Sequence, residues 1–248
     1  MDWQKILLKI LCRYWDWRDS LFNKKCLSCR GKPAQHRLYL LCSRCFEDAC
    51  LTIAQCQFCA VDLPSGGEIC GLCVQRKMNN QPTIVRAGFA YQGEVKQRII
   101  DLKFNYCFLQ ARVLAAMLVA NMQNRGAINK FDAVIAVPMY WTKVADRGYN
   151  QAEILAKWVA SLLQIPHIAH ALIKYKNTKP QQGMDKKSRN KNIRNTIRAK
   201  SVVTGKYILL LDDVLTTGAT ISTCARMCYQ AGAKKVEVWV VARTLSPS

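Results

Sequence analysis

The chain has 248 residues, half of them hydrophobic, which excludes a disordered chain. It carries 37 Lys and Arg against 16 Asp and Glu, and a net charge of +21 indicates a polyanionic partner or ligand. No apolar run is long enough to span a bilayer and no secretory leader opens the chain, so we expect a cytoplasmic protein without stable membrane insertion.

Residues 1–21 place apolar side chains at a three-to-four spacing, which predicts an amphipathic helix. Lys5, Lys9 and Arg13 lie off the apolar stripe. A basic helix of this type either docks on its own domain or lies on a membrane surface, and the sequence leaves both interpretations open.

Eight of the 13 cysteines form four C-x-x-C pairs: Cys26 with Cys29, Cys42 with Cys45, Cys56 with Cys59, and Cys70 with Cys73. Two residues between thiolates let one tight turn present both sulfurs to one ion, and two such turns complete a closed tetrahedral site. We therefore predict one or two structural Zn2+ ions in a double zinc ribbon over residues 22–76. An iron–sulfur cluster would use the same ligands. Loop-closure entropy favours sequential pairing of the knuckles, and a crossed arrangement stays open.

From residue 82 to residue 248 the pattern is that of a second domain. We predict strands over residues 84–91, 133–137, 167–173, 207–211 and 236–241, helices over 94–104, 108–122, 150–163 and 219–230, and a polar, basic loop over 177–192. Strands that alternate with helices indicate an α/β fold, with a mainly parallel sheet and helices on both faces.

The segment 208–220 carries the strongest functional signal. An apolar strand delivers Asp212 and Asp213 to the carboxyl end of the sheet, where ligands bind in open parallel sheets. A turn of small residues then enters a helix, and its amides and hydroxyls suit a phosphate. The turn comprises Thr216, Thr217, Gly218, Ala219 and Thr220. The carboxylates should face a polyol such as ribose, or a metal-bound group, beside that phosphate. Taken alone, the acid pair also fits a bare Mg2+ site, and the turn also fits an ordinary helix start.

Together these residues resemble the phosphoribosyl pyrophosphate (PRPP) signature of type I phosphoribosyltransferases. The resemblance implies that Asp212 and Asp213 bind the ribose 2- and 3-hydroxyls and that residues 216–220 bind the 5-phosphate. A wider resemblance includes the four knuckles, Leu102-Lys103-Phe104, Arg147-Gly148-Tyr149-Asn150-Gln151 and Thr178-x-x-Gln181. These motifs are similar to the competence protein F (ComF) family, which joins a double zinc ribbon to a type I phosphoribosyltransferase-like domain and is linked to DNA uptake in natural transformation.

The same resemblance places further residues around PRPP. The loop after strand 133–137 would cover the pyrophosphate and its Mg2+ with Lys143, Arg147 and Asn150, and Arg147 joins the two aspartates as a candidate catalytic residue. The basic loop resembles a mobile lid, whose charges would complete the clamp or contact nucleic acid. The lid candidates are Lys186, Lys187, Arg189, Lys191 and Arg194.

The implied function is to bind or act on incoming single-stranded DNA in the cytoplasm, with PRPP and the DNA-uptake or helicase machinery as partners. Stacking and charge for a single strand would come from Tyr175, from ribbon cations that include Arg44, and from Phe104, Tyr106 and Phe108. Two alternatives stay open. One is a phosphoribosyltransferase for a small base or nucleotide with no direct nucleic-acid role. The other is a non-catalytic adaptor that senses PRPP.

Overall fold

The computed structural model of the chain describes residues 26, 28–29, 31, 42–50, 54–63, 66–77, 83–128, 131–175 and 196–244. The expected helix over residues 1–21 and the five lid candidates lie outside these residues. Among the described residues, no helix is long and apolar enough to cross a membrane.

From residue 84 onward, a single helix or a pair of helices separates most of the successive strands. The helices are α1 (Ser43–Cys50), α2 (Gly71–Lys77), α3 (Gly93–Phe104), α4 (Leu109–Asn124), α5 (Trp141–Arg147), α6 (Gln151–Leu163) and α7 (Ala219–Gln230). The strands are β1 (Ile84–Ala90), β2 (Ala133–Ala136), β3 (Leu172–Lys174), β4 (Ile197–Ala199), β5 (Tyr207–Leu215) and β6 (Lys235–Arg243).

Four of the strands form one sheet in the order β1-β6-β5-β2, and every pairing in it is parallel. Because side chains alternate along a strand, β5 packs Leu209 and Leu211 into a core with α3, α4 and α6. It packs Ile208 and Leu210 into a second core with α7 on the opposite face. The expected α/β fold, with a mainly parallel sheet and helices on both faces, is confirmed.

The strand predicted over residues 167–173 is wrong in its extent. His167 makes a single parallel bridge to Val134, and a separate strand, β3, begins at Leu172. His170 has a φ of 53°, in the left-handed region, which interrupts an extended chain at this point. β3 then pairs with β4 in a two-stranded antiparallel ribbon, the β3–β4 ribbon, outside the main sheet.

Two arginines are among the residues that join the cysteine-rich part of the chain to the sheet domain. Arg98 on α3 donates a hydrogen bond to the backbone oxygen of Ser28, which lies between two cysteines. Arg243, at the end of β6, donates one to the backbone oxygen of Cys59. Cys26 and Cys42 are also buried in the core that contains α3 and α4. The first and second halves of the cysteine-rich part are therefore each hydrogen-bonded to the sheet domain.

Candidate functional site

The acid pair lies in the second half of β5, toward the carboxyl edge of the sheet. The strand is four residues longer than the sequence indicated, so Asp212 and Asp213 are part of it and project from opposite faces. Asp213 is on the face covered by α3 and is 4% exposed. Asp212 is on the face covered by α7.

Backbone and side-chain groups fix both carboxylates. Asp212 Oδ1 accepts a hydrogen bond from the Asp213 amide at 2.9 Å, and Asp213 Oδ1 accepts one from the Val214 amide at 2.8 Å. The Nζ of Lys103, at the end of α3, lies 2.6 Å from Asp213 Oδ2. Burial and the neighbouring Asp213 carboxylate raise the pKa of Asp212 well above its usual value, and Lys103 partly offsets this rise.

A second lysine approaches the pair from the β3–β4 ribbon. Burial and the neighbouring Lys143 lower the pKa of Lys174, while Cys224 and Asp212 oppose the shift. The ribbon therefore brings a partly desolvated ammonium group to the Asp212 face of the site. The motifs of the sequence do not mark Lys103 or Lys174 as site residues, although Lys103 stands inside one motif of the ComF resemblance.

After β5 the chain makes the expected turn into a helix. Thr216 and Thr217 are exposed, and Gly218 has a φ of 75°, a left-handed conformation that favours glycine. Gly218 is the N-cap of α7, and the first intrahelical bond runs from the Ser222 amide to the Gly218 oxygen at 2.9 Å. The amide groups of the first helical turn precede this bond and have no acceptor within the helix, so they are suited to an anion.

The loop after β2 continues into α5 and α6 and carries the predicted pyrophosphate contacts. The Arg147 guanidinium lies 5.2 Å from the centre of the Phe104 ring and donates to Gln151 Oε1 at 2.6 Å. Asn150 donates to the Val137 oxygen and accepts from the Ala152 amide, so it both caps α6 and ties it to the end of β2. Lys143 is exposed on α5.

The three aromatic residues at the end of α3 differ in their surroundings. Phe104 is 62% exposed beneath Arg147. Tyr106 and Phe108 instead pack edge to face against Tyr149, with ring centres 5.7 and 4.9 Å away. Of the three, Phe104 presents its ring to solvent. Trp141 on α5 is 65% exposed and lies beside Tyr140.

A cavity of about 300 Å3 lies at the carboxyl end of β1, between that strand and the cysteine-rich part of the chain. Asp48, Asp62 and Glu94 are among its lining residues, together with Arg125. Three acidic side chains make this cavity a poor site for a polyanion, and it is separated from β5 by β6 in the sheet order.

The cysteines form two clusters of four, and each cluster joins knuckles that are neighbours in sequence. One cluster contains Cys26, Cys29, Cys42 and Cys45, and the other contains Cys56, Cys59, Cys70 and Cys73; within each, the sulfurs lie within 4.8 Å of one another. The Sγ distances from Cys29 to Cys42 and from Cys59 to Cys70 are 3.8 and 3.7 Å. These distances match the edge of a tetrahedron with ~2.3 Å Zn–S bonds and are too long for disulfides of ~2.05 Å. The structure therefore favours sequential pairing, and both clusters fit Zn2+.

The thiol of Cys56 is already poised to act as a ligand. Although burial opposes ionisation, hydrogen bonds from the backbone amides of Cys70, Phe58 and Cys59 lower the pKa of Cys56 to about 7. Burial and the neighbouring cysteines raise the pKa of Cys45 to about 12. A bound Zn2+ would hold all four sulfurs of a cluster as thiolates, because the thiolate is the form that coordinates metal.

A parallel sheet with an acid pair and a turn-to-helix cradle at its carboxyl edge defines a type I phosphoribosyltransferase fold. A family model described as "Phosphoribosyl transferase domain" matches residues 144–247, which include this segment. Two cysteine clusters precede it in the chain.

Comparison with known proteins extends the similarity to most of the chain. Competence protein F of Haemophilus influenzae is 27% identical over 234 residues, which cover 90% of this chain and 99% of that protein. DNA utilization protein YhgH of Escherichia coli O157:H7 is 27% identical over 208 residues, 83% and 91% of the two chains. Among solved structures, APRTase from Giardia lamblia complexed with 9-deazaadenine is 19% identical with a TM-score of 0.38, covering 58% of this chain and 70% of that one. The expected resemblance to the ComF family is confirmed: the chain is a homologue of proteins named for competence and DNA utilization.

Proposed function

We propose that the protein binds PRPP with Mg2+ at the edge formed by Asp212, Asp213 and the turn 216–220, and that it binds incoming single-stranded DNA in the cytoplasm during DNA uptake. One observation carries the PRPP assignment: two fixed carboxylates stand directly beside a helix N-terminus that is suited to an anion. We further propose three parts, namely an N-terminal helix over residues 1–21, a double zinc ribbon over 22–76 and the transferase-like domain over 82–248.

The hydrogen-bonding chemistry of each part of the site determines whether it binds the ribose or the phosphate. Carboxyl oxygens accept hydrogen bonds from hydroxyls, and carboxylates do not donate to phosphate, so Asp212 and Asp213 take the ribose. Amides and threonine hydroxyls of the turn donate to the 5-phosphate. One strand–turn–helix unit then binds two groups of the same ligand, with the ribose at the end of the strand and the 5-phosphate at the turn. This arrangement suits a sugar phosphate better than a bare metal ion.

The pyrophosphate end of PRPP would extend toward the loop after β2. Arg147 and Lys143 supply the positive charge there, and a guanidinium can hold a phosphate group with two parallel hydrogen bonds. Asn150 contributes by fixing the loop, since its side chain joins Val137 to the start of α6. Mg2+ would arrive with PRPP and offset the charge of the pyrophosphate.

The outer face of the β3–β4 ribbon supports the nucleic-acid part of the proposal. Arg198 lies 4.8 Å from the centre of the Tyr175 ring, and both side chains are exposed. Ile173, paired with Arg198, is 46% exposed on the same face. An aromatic ring covered by a guanidinium is a suitable base-stacking surface. The ribbon also flanks the lid, and residues 172–200 carry ten basic side chains and one acidic.

Calorimetric titration with PRPP and Mg2+ tests the first part of the proposal. We expect wild-type protein to bind, and Asp212→Ala with Asp213→Ala to weaken binding at least ~100-fold, about 2.7 kcal/mol, without loss of zinc. Asp48→Ala, an exposed acid on α1, is the control and should bind as wild type does. Binding retained by the double variant would contradict the assignment.

Pyrophosphate release then decides whether the site is catalytic. The protein is incubated with PRPP, Mg2+ and either free bases, nucleotides or single-stranded DNA, and released pyrophosphate is measured. Release identifies a transferase and its acceptor. Binding of PRPP without release under all three conditions identifies a sensor or adaptor, because the fold alone does not require activity.

Fluorescence anisotropy with a labelled oligonucleotide tests the second part. We expect affinity to fall with salt, and reversal of Lys186, Lys187, Lys191 and Arg194 to glutamate to lower the log–log slope by about 3. Lys206→Glu with Lys234→Glu is the matched control, since these lysines lie at the amino edge of the sheet, directly before β5 and β6. Affinity that does not respond to salt would contradict DNA binding.

A further inference from the structure

Lys103 makes a contact that the proposed ligand contacts do not explain. Its Nζ lies 2.6 Å from Asp213 Oδ2, and the side chains are 18% and 6% exposed. The two groups do not meet in hydrogen-bond geometry, since Asp213 Oδ2 has no hydrogen-bond partner among the described residues, so the contact is a close ion pair in a partly desolvated site. Because Asp213 Oδ1 already accepts a hydrogen bond from the Val214 amide, the attraction of Lys103 for the other oxygen helps to set the orientation of the carboxylate.

The acid pair also poses a charge problem for a phosphorylated ligand. Two adjacent carboxylates, Asp213 buried and Asp212 half-buried, repel each other and any phosphate beside them. The other charged or titratable groups that act on the pair are Lys174 on β3 and Cys224 on α7, which interact with Asp212. Lys143 on α5 acts on Lys174. Among the described residues, Lys103 is the cation in contact with Asp213.

We propose that Lys103 is the positioning residue of the acid pair: its ammonium orients the Asp213 carboxylate and cancels its charge, so that the pair accepts ribose hydroxyls next to phosphate groups. Lys103 acts through Asp213 and does not touch the ligand. This inference rests on the proposed PRPP site. It also gives the Leu102-Lys103-Phe104 segment a role, because α3 ends at Phe104 and thereby presents Lys103 to β5.

The test compares PRPP affinity, measured by calorimetry with Mg2+, across four forms of the full chain. Lys103→Met should weaken binding at least ~10-fold, about 1.4 kcal/mol. Lys103→Arg keeps the charge and should restore affinity to within about threefold of wild type, about 0.7 kcal/mol. Lys96→Met, an exposed lysine on the same helix, should have no effect. Circular dichroism checks that each form is folded, and Lys103→Gln replaces the Met variant if that variant does not fold.

A double-mutant cycle separates positioning from direct contact. In an Asp213→Asn background the charge that Lys103 cancels is absent, so Lys103→Met should change affinity by less than about twofold. Equal losses in both backgrounds would show that Lys103 binds the ligand itself and would overturn the inference. Wild-type affinity in Lys103→Met would overturn it while the proposed function stands. No PRPP binding by wild type would overturn both.

Discussion

The contact between Arg98 and the first cysteine cluster leads to a quantitative prediction. Arg98 is 9% exposed and donates from Nη1 to Gln110 Oε1 and from Nη2 to the Ser28 oxygen, both at 2.8 Å. It also pairs with Glu94, but Glu94 is 66% exposed and that pair contributes little. Arg98→Ala would remove two hydrogen bonds from a charged donor to half-buried acceptors, at ~1.5 kcal/mol each, or about 3 kcal/mol in total.

For a chain of this size, 3 kcal/mol corresponds to a fall of about 6–12 °C in Tm. Thermal unfolding measures that fall, and zinc release to a chelator should be faster because Ser28 lies between Cys26 and Cys29. Lys96→Ala on the same helix is the control and should stay within about 0.5 kcal/mol of wild type. If Arg98→Ala matched this control in both Tm and zinc release, the hydrogen bond to Ser28 would not be what holds the first cluster to α3.

Three further predictions concern the acid pair, the core and the metal clusters. Folding raises the pKa of Asp212, so its contribution to stability falls as pH rises from the ordinary aspartate pKa to the raised one. Asp212→Asn should therefore increase Tm by about 3 °C or more at pH 8 and less at pH 4, while Asp146→Asn, a substitution at an exposed position, should change Tm by less than about 2 °C. A Cβ on Gly88 would lie 2.8 Å from Leu118 Cδ1 and 3.2 Å from the Val241 oxygen, so Gly88→Ala should cost ~1–3 kcal/mol in chemical unfolding, while Gly71→Ala, with open space, should not. Cys73→Ser should reduce the zinc content by one ion in metal analysis, and Cys107→Ser, outside both clusters, should leave it unchanged. Three results would contradict these arguments: an effect of Asp212→Asn that does not depend on pH, equal destabilisation by Gly88→Ala and Gly71→Ala, and a full zinc content in Cys73→Ser.

Local patterns in the sequence are sufficient to predict much of the sheet. The apolar run of β5 and the small-residue turn before α7 are contiguous, so the amino-acid sequence alone places the carboxylates beside the cradle. The C-x-x-C spacing likewise predicts four-cysteine sites, because each turn presents its own two sulfurs. The sequence does not decide between sequential and crossed pairing, which depends on how separate turns meet in space.

Contacts between distant segments cannot be predicted in the same way. Lys103 and Asp213 lie on different elements, and nothing in the spacing of either residue indicates that α3 ends beside β5. The same holds for Arg98 with Ser28, and for Lys174, whose position depends on the β3–β4 ribbon. The ribbon itself escapes sequence prediction because His170 breaks the extended chain before Leu172, a backbone effect that no apolar pattern reports.

A structure of the full chain crystallised with PRPP and Mg2+ tests the central claim most directly. We predict that the ribose 2- and 3-hydroxyls lie within ~3 Å of carboxylate oxygens of Asp212 and Asp213, a hydrogen-bonding distance, with the 5-phosphate on the turn 216–220 at the N-terminus of α7. PRPP bound elsewhere on the protein, or bound with its phosphate away from that turn, would contradict the account.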